Sequence, residues 1–425
     1  MRWLVLAALG MGCAGESTDD SDLGTEGDID SGVDTEADTD VTSSDADAVR
    51  ALIAGTAELE TVFAEVSDSG GWPVLTAEDT FLFVAADPGY PVFLTGAHND
   101  WEPAAMTDAD GFYYAEVAID APQGSAYKFT DNADVFAPDP WSRTYGFDEF
   151  GELSTVQPPA TGTYYARFHG VTDGTLAPRQ VRIRVPQNAG PWPVLYMQDG
   201  QNLFEAGGAF GSWHLEDAEP SNDILLVGID STNDRFDEYT HAADDIGRAS
   251  SDPKADAYAD LVLDHVRPRV EALWGSSGTD GVLGSSLGGL VSLYIAQRDP
   301  AEWDFAGSMS GTLGWGRFTG TGPVMEELYT SRTDLGGLTV FVDSGGNAGG
   351  DGCVDVNNDG FFEDDPDDSD NFCVNRKFAD AMGADGFVWD ETLFHWHEPG
   401  AEHSEAAWAA RVFRPLEHFL AVDAE

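Results

Sequence analysis

The chain has 425 residues, enough for two folded domains and a tail, and its 42% hydrophobic content is enough to build sizeable cores. Its 77 acidic residues outnumber its 20 basic residues, which gives a formal net charge of −57. Because contacts with phosphates need clustered Lys and Arg, this balance excludes nucleic acid as an expected partner.

The first twelve residues are predicted to be an export signal. Arg2 precedes an apolar run over residues 3–9, which is too short to span a bilayer as a helix. The segment resembles a bacterial lipoprotein signal that is cleaved before Cys13, with lipid attached to that sulfur; an ordinary secretory signal is the alternative. In either case we expect an exported protein, either a cell-envelope lipoprotein or a periplasmic or secreted protein. A lipid anchor would be its only attachment to a membrane.

Residues 13–48 are predicted to form a disordered acidic linker. Residues 14–48 contain thirteen Asp or Glu, no Lys or Arg, and no apolar period. Such a segment repels itself and cannot bury a core. Apolar residues then recur at helical spacing over residues 49–66, which predicts one amphipathic helix.

Residues 72–159 have the pattern of short strands separated by turns. Four strands are predicted, over residues 80–84, 90–94, 112–119 and 125–129. Strands of this length and spacing indicate a small all-β sandwich. With the preceding helix, it makes a predicted domain over residues 49–160.

Several residues of this segment resemble an early-set, glycogen-binding-type (CBM48-like) immunoglobulin-like domain. They lie in residues 91–96, 99–101, 106, 127–129 and 139–140. The resemblance implies either glycan binding or packing against a following catalytic domain. Trp101, Trp141 and Tyr145 are the candidates for stacking on sugar rings. The favoured alternative is that these aromatics belong to a core or an interface.

From residue 161 onward, strands alternate with helices. The predicted strands cover residues 180–185, 193–198, 224–230, 305–310 and 338–343, and a long helix covers residues 254–274. A last strand and a last helix are predicted over residues 387–396 and 406–420. This alternation predicts an α/β domain over residues 161–425, with a mainly parallel sheet covered by helices on both faces.

The sequence GSSLGG at residues 284–289 fits the G-x-S-x-G nucleophile elbow. An apolar strand precedes it and a helical run follows it, which is the context that the motif requires. The sharp turn would expose the Ser286 hydroxyl, and the Leu287 N–H would then point at an incoming carbonyl oxygen. The alternative is a glycine-rich loop that happens to contain a serine.

A serine nucleophile needs a base, and in this type of fold the histidine follows the serine and the acid along the chain. The candidates after residue 286 are His395, His397, His403 and His418. His395 and His397 lie on the last predicted strand, and His418 lies inside the last helix. His403 occupies the loop between them, at the same sheet edge as the elbow, so we predict His403 as the base.

Five separated motifs resemble the esterase D, enterochelin-esterase and feruloyl-esterase family of α/β-hydrolases. They are YMQDGQNLF at 196–204, RFDEYT at 235–240, the elbow, residues 308–310, and HSEAAW at 403–408. The resemblance covers residues 165–422 and implies a serine esterase that needs no cofactor for catalysis. It also implies an oxyanion hole formed by the Leu287 N–H and a backbone N–H near Gly200 and Gln201.

The same resemblance implies that Trp213, Arg235 and Glu238 build the wall of the substrate site. It places the acid of the triad in a D-x-F sequence ahead of a helix, which Asp370 fits here. Asp351 and Asp343 are the alternatives, because an insertion follows the strand at 338–343.

This insertion resembles the first nine positions of a calcium loop. The candidate ligands are Asp355, Asn357, Asp359, Phe361 and Glu363. Pro366 stands where a bidentate Glu is usual, and an acidic solvated loop is the alternative. Cys353 and Cys373 are predicted to form a disulfide, which would close the loop and stabilise the fold by about 3 kcal/mol.

The sequence therefore predicts an exported serine esterase that acts on carbohydrate-linked, aromatic-acid or siderophore-like esters. Two other functions remain open: an acyltransferase that uses the same triad, and a non-catalytic surface binding protein. The sequence does not determine the acyl group, the leaving alcohol or the oligomeric state.

Overall fold

The computed structural model describes residues 39–204, 208, 210–245, 250–346, 353–354, 363–364 and 370–424. The predicted signal, Cys13 and most of the acidic linker lie outside these ranges, as do Asp351 and the candidate calcium ligands at 355–361. No helix in the described ranges is both long and apolar enough to cross a membrane.

Two helices open the described chain, α1 (Thr39–Ile53) and α2 (Leu59–Asp68). The prediction of a single helix over residues 49–66 was therefore wrong, and α1 begins inside the predicted linker. The break follows from Gly55, whose φ of 70° lies in the left-handed region that ends helices. Val49 of α1 and Phe63 of α2 pack with Trp72 in a core cluster that also includes Val74, Leu82 and Phe112 of the following strands.

Ten short strands follow in the N-terminal part: β1 (Val74–Ala77), β2 (Thr80–Ala86), β3 (Phe93–Gly96), β4 (Ala104–Ala105), β5 (Thr107–Asp108), β6 (Phe112–Ala118), β7 (Ala126–Thr130), β8 (Phe136–Ala137), β9 (Thr144–Asp148) and β10 (Gly151–Thr155). Strands β1, β2, β6 and β5 form a four-stranded sheet in that order. Phe83 of β2, Leu94 of β3 and Tyr127 of β7 belong to one core cluster, so this sheet packs against β3 and β7.

The remaining strands are β11 (Tyr164–Val171), β12 (Arg179–Val185), β13 (Val194–Gln198), β14 (Leu225–Ile229), β15 (Asp280–Ser285), β16 (Phe305–Met309), β17 (Thr339–Ser344), β18 (Cys353–Val354), β19 (Glu363–Asp364) and β20 (Leu393–His397). One fourteen-stranded sheet runs in the order β20-β17-β16-β15-β13-β14-β12-β11-β9-β10-β7-β3-β4, with β8 beside β7. Strands β18 and β19 pair with each other.

This large sheet is mixed, so the prediction of a mainly parallel sheet was wrong. Strands β14, β13, β15, β16, β17 and β20 pair in parallel, whereas β12 pairs antiparallel with both β14 and β11. Parallel pairing needs a crossover of a dozen or more residues, usually through a helix. Only residues 172–178 connect β11 to β12, so these strands form a hairpin.

Several N-terminal strands belong to the same large sheet as the α/β part. Tyr165 and Ala166 of β11 pair with Tyr145 and Thr144 of β9, while the other edge of β11 pairs with β12. Strand β11 therefore joins the N-terminal strands and the α/β part into one sheet. The immunoglobulin-like assignment of the N-terminal part stays a prediction.

Eight further helices follow: α3 (Arg235–Glu238), α4 (Ala255–Asp260), α5 (Arg267–Trp274), α6 (Leu287–Arg298), α7 (Met325–Thr330), α8 (Phe372–Ala384), α9 (Glu405–Ala409) and α10 (Phe413–Asp423). A π-helical segment at Leu261–Val266 joins α4 to α5. Neighbouring residues Leu195 and Tyr196 of β13 enter different cores, one with Phe419 of α10 and the other with Leu290 of α6. Helices therefore cover both faces of the parallel strands, as predicted.

Candidate active site

The predicted nucleophile lies at a sharp turn between a strand and a helix. Strand β15 ends at Ser285, helix α6 begins at Leu287, and Ser286 between them has φ 56° and ψ −124°. Such a backbone conformation is strained for any residue except glycine, and strain of this kind is concentrated at functional sites. A Cβ on Gly284 would lie 2.5 Å from the Gly288 carbonyl carbon, so the turn requires glycine there.

Ser286 and His403 line one cavity of about 280 Å³. Its other lining residues are Asp199, Gln201, Asn202, Phe210, Ser231, Arg235, Ser285, Glu405 and Trp408. Among the described contacts, no direct hydrogen bond joins the serine to the imidazole. Proton transfer between them would therefore need a small rotation of either side chain or one intervening water.

Asp370 is the carboxylate that reaches His403. Its Oδ1 lies 2.5 Å from His403 Nδ1, and its Oδ2 accepts hydrogen bonds from Ser310 Oγ at 2.6 Å and from the Gly345 N–H at 2.7 Å. The Asp370 side chain is only 4% exposed. This geometry leaves Nε2 as the ring nitrogen available to the cavity, because Nδ1 is occupied by the carboxylate.

The alternative acid Asp343 has a different partner. It is fully buried at the end of β17, and its Oδ2 accepts a 2.8 Å hydrogen bond from Arg411 Nε. Burial raises the pKa of Asp343, and the adjacent Arg411 guanidinium opposes that rise. Asp343 therefore belongs to an ion pair behind Asp370, and the other alternative, Asp351, lies outside the described residues.

The other three candidate histidines do not line the cavity. Burial lowers the pKa of His395 on β20 to about 4. A ring nitrogen of His397 lies 3.1 Å from the Gly346 carbonyl oxygen, and the His418 ring stacks on Phe394 with 3.8 Å between centroids. The structure thus brings only His403 of the four to the elbow.

The predicted oxyanion residues follow two neighbouring parallel strands, β13 and β15, and of the three only Gln201 is among the residues that line the cavity. Gly200 and Gln201 belong to a 3₁₀ turn directly after β13, the parallel neighbour of β15. A Cβ on Gly200 would lie 2.5 Å from the Gly228 carbonyl carbon, so the turn presses against β14. The side chain of Gln201 is fixed by Ser231, whose hydroxyl accepts from Nε2 at 2.8 Å and whose N–H donates to Oε1 at 2.9 Å.

Of the three residues predicted for the wall of the substrate site, Arg235 lines the cavity. Its Nε and Nη2 donate to Asp199 at 2.6 and 2.8 Å, so its charge already has a carboxylate partner. Glu238 is fully buried and accepts two hydrogen bonds from Arg179, at 2.8 and 2.9 Å. Glu238 therefore ties α3 to β12 through this ion pair, and it is not one of the residues that line the cavity.

The third predicted wall residue, Trp213, lies behind the cavity. It is 3% exposed, and its ring is 6.0 Å from that of Trp408, which does line the cavity. The Trp408 ring in turn lies edge-on to His403, with 5.0 Å between centroids. Trp213 therefore supports the packing beside the imidazole and has no direct access to substrate.

Sequence reasoning missed two residues that lie directly behind Asp370. Ser310 lies within the motif at 308–310, but no local pattern indicated that its hydroxyl would reach a carboxylate sixty residues later. Arg411 follows α9 and meets Asp343 only in three dimensions. Each contact joins two segments that are far apart in the sequence, so no linear motif reveals it.

The aromatic residues suggested for sugar stacking differ in exposure. Tyr145 is only 2% exposed and its ring packs against Tyr165, so it cannot reach a glycan. The Trp141 ring lies 4.8 Å from that of Phe63 in α2. Trp101 is 41% exposed. The favoured alternative, core packing, holds for Tyr145. Trp141 is half-buried and also lines a cavity of about 190 Å³, so glycan binding by this part of the chain stays a prediction.

A disulfide joins Cys353 to Cys373, as predicted, with 5.7 Å between the Cα atoms. Cys373 lies in the first turn of α8, three residues after Asp370. Of the five candidate calcium ligands, only Glu363 falls in the described ranges, where its backbone pairs with Val354. Asp355, Asn357, Asp359 and Phe361 lie outside them, so calcium binding stays a prediction.

A family model described as putative esterase matches residues 175–419. An uncharacterized protein of Bacillus subtilis strain 168, YbbA, is 27% identical over 173 residues, which are 38% of this chain and 64% of that protein. Similar solved structures include an enterobactin esterase from Shigella flexneri, with 16% identity, a TM-score of 0.45, and coverage of 82% of this chain and 95% of that one. An IroE-like serine hydrolase from Shewanella oneidensis has 18% identity, a TM-score of 0.45, and coverage of 61% and 79%.

Proposed function

The chain belongs to this esterase family, and we propose that it hydrolyses carboxylic esters with Ser286 as nucleophile, His403 as base and Asp370 as acid. One observation carries the proposal. An imidazole bonded through Nδ1 to a buried carboxylate lines the same cavity as a serine held in a strained turn. A serine hydroxyl becomes nucleophilic when a base can take its proton and an acid fixes the tautomer of that base.

In the proposed acylation step, Ser286 Oγ attacks the ester carbonyl carbon while its proton moves to His403 Nε2. The carbonyl oxygen becomes an oxyanion, which the Leu287 N–H and a backbone N–H of the turn at Gly200 and Gln201 stabilise. Collapse of this intermediate releases the alcohol, which takes the proton from Nε2. Water then attacks the acyl-serine with the same imidazole as base, and the carboxylic acid leaves.

The cavity suits an ester that combines a ring with polar groups, because its lining is polar apart from two aromatic side chains. Phe210 is 80% exposed at the cavity, and Trp408 lines it as well. Exposed aromatic side chains in a cavity bind apolar groups and rings. Aromatic-acid esters of carbohydrate are therefore the first substrates to test, followed by siderophore-like lactones and simple acetylated sugars.

Export is part of the proposal, supported by the apolar leader and by Cys13 at its end. A structural calcium ion in the insertion is a further part. It would order the segment between Cys353 and Asp370 and so support the acid indirectly. Exhaustive chelation should then lower both the esterase rate and the melting temperature, and unchanged values would remove calcium from the proposal.

The decisive experiment is hydrolysis of p-nitrophenyl esters of graded chain length, feruloyl esters and acetylated sugars. The Ser286→Ala variant should lose activity by about three orders of magnitude or more. A fluorophosphonate should label the wild type and Ser285→Ala covalently and leave Ser286→Ala unlabelled. A Ser286→Ala variant with full activity would contradict the mechanism.

The same experiment separates the two alternative functions. An acyltransferase would form a new ester when an acceptor alcohol is added, at the expense of the free acid. A non-catalytic binding protein would neither turn over any ester of the panel nor react with the fluorophosphonate.

A further inference from the structure

One buried hydroxyl connects Asp370 to an ion pair deeper in the protein. Ser310 Oγ donates to Asp370 Oδ2 at 2.6 Å, and it accepts hydrogen bonds from Arg411 Nη2 at 2.8 Å and from Trp408 Nε1 at 3.2 Å. A hydroxyl has one proton and two lone pairs. Because guanidinium and indole N–H groups only donate, both lone pairs are occupied and the single proton must point at Asp370.

The Arg411 guanidinium is itself fixed by the second carboxylate. Its Nε lies 2.8 Å from Asp343 Oδ2 and its Nη2 lies 3.3 Å from Asp343 Oδ1, and both residues are buried. Arg411 Nη2 also lies 3.7 Å from Asp370 Oδ2, within ion-pair range but too far for a hydrogen bond. The closest carboxylate of Arg411 is thus Asp343, and its hydrogen-bonded link to Asp370 runs through the Ser310 hydroxyl.

The backbone of Ser310 is also held in place. Its φ of 48° lies in the left-handed region, which a serine occupies only at a cost. Its N–H donates to Asp343 Oδ1 at 3.0 Å, and its carbonyl oxygen accepts from Asn371 Nδ2 at 2.8 Å. Both ends of the residue are therefore tied to the segments that carry the two aspartates, and the hydroxyl has little freedom to turn elsewhere.

The Ser310 hydroxyl also reaches His403 by a second route, through Trp408. Trp408 donates its indole N–H to Ser310, and its ring lies edge-on to His403. His403 is thus in contact with two groups, Asp370 and Trp408, that share Ser310 Oγ as a hydrogen-bond partner. Removing this one oxygen would loosen both contacts at once.

We propose that Ser310 is a positioning residue that fixes the Asp370 carboxylate for His403, with the Arg411–Asp343 pair fixing Ser310. The inference rests on the proposed function, in which Asp370 is the acid of the triad. Without the hydroxyl, Asp370 Oδ2 would keep the Gly345 N–H and gain room to turn toward Arg411. The hydrogen bond between Asp370 Oδ1 and His403 Nδ1 would then change in geometry, although neither residue has been altered.

The test compares Ser310→Ala and Ser310→Gly with Ser308→Ala. Both Ser310 variants remove the hydroxyl, and glycine also suits the left-handed backbone, so at least one should fold normally. Ser308 is the matched control because it lies two residues earlier, on β16, is fully buried, and has an Oγ with no hydrogen-bond partner in the described part of the chain. Active sites are counted by fluorophosphonate titration before rates are compared.

We expect kcat to fall about tenfold in both Ser310 variants, with KM changed by less than about twofold, since a misplaced acid affects the transition state more than substrate binding. The acid limb of the kcat/KM profile against pH should be displaced. The far-downfield NMR resonance of the His403 Nδ1 proton should move as well. Ser308→Ala should match the wild type in all of these measurements.

A pH profile and a downfield resonance that superimpose on those of the wild type would overturn the inference, whatever the value of kcat. The NMR measurement does not require turnover. If the wild type hydrolyses no ester, the proposed function fails, and the resonance still decides whether Ser310 positions the pair.

Discussion

The two halves of the large sheet use their buried polar residues differently. In the parallel half, Gln201 follows β13, Ser286 follows β15, Ser310 follows β16, Asp343 is the last residue but one of β17, and His403 lies in the loop after β20. Parallel strands end at one edge, so side chains at their carboxyl ends meet there. In the antiparallel half, strand ends alternate between the two edges, and the loops after them do not collect at one place.

The antiparallel half nevertheless contains buried charge. Arg167 is 4% exposed, forms a 2.8 Å ion pair with Glu152, and donates to the carbonyl oxygens of Ser142 and Asp139. Burial raises the pKa of Asp139 to about 6, although Tyr127 donates a 2.7 Å hydrogen bond to it. The comparison shows that a perturbed buried carboxylate does not by itself mark a catalytic site. Strand direction determines whether such groups converge with a nucleophile.

The largest expected effect lies in the parallel half. Asp370→Asn should lower kcat by about three to four orders of magnitude, because the amide would favour the wrong tautomer of His403. Asp343→Asn should act mainly on stability, because its partner is the buried Arg411. Steady-state rates should reveal the loss of kcat in Asp370→Asn, and melting temperatures should reveal the loss of stability in Asp343→Asn. Equal losses of kcat in the two variants would contradict the assignment of Asp370 as the acid.

The next largest effect is expected in the antiparallel half, where a substitution should change the free energy of unfolding and leave turnover unchanged. Arg167→Ala leaves Glu152 and two carbonyl oxygens without their donor and should destabilise the fold by about 3–5 kcal/mol. The turnover number per labelled active site should stay that of the wild type, because Arg167 is remote from the strand ends that carry the site. Arg269→Ala, at a surface ion pair with Asp68, is the control and should change stability by about 1 kcal/mol or less. Urea unfolding measures both, and a loss of turnover in Arg167→Ala would show that the halves are coupled.

A smaller effect is expected at the disulfide. Replacing Cys353 and Cys373 by Ser together removes a link that spans 20 residues and should lower stability by about 3 kcal/mol. Because Cys373 lies three residues after Asp370, kcat should fall as well, by less than in Asp370→Asn. A reducing agent should reproduce the effect in the wild type and have none on the double variant. If the reductant slows both proteins alike, another target must be responsible.

Much of the site was predictable from the sequence because its signals are local or topological. The elbow is a short motif with its own strand and helix, and chain order left His403 as the histidine between the last strand and the last helix. The helix break at Gly55 and the hairpin of β11 and β12 were not predicted, because each depends on one turn that the apolar pattern does not reveal. The contacts of Asp343 with Arg411 and of Ser310 with Asp370 join segments that are 68 and 60 residues apart, and no linear pattern shows that these segments meet.

Strand β11 has a practical consequence for anyone who wishes to isolate the catalytic portion. A fragment that starts near residue 161 would retain the whole family match yet abandon the backbone hydrogen bonds that β11 makes with β9. The N–H and C=O groups on this edge of β11 would then be unpaired and could form hydrogen bonds with β11 of another molecule. Truncation near residue 161 should therefore yield a protein that aggregates. In the full chain, the N-terminal strands cover this edge of β11.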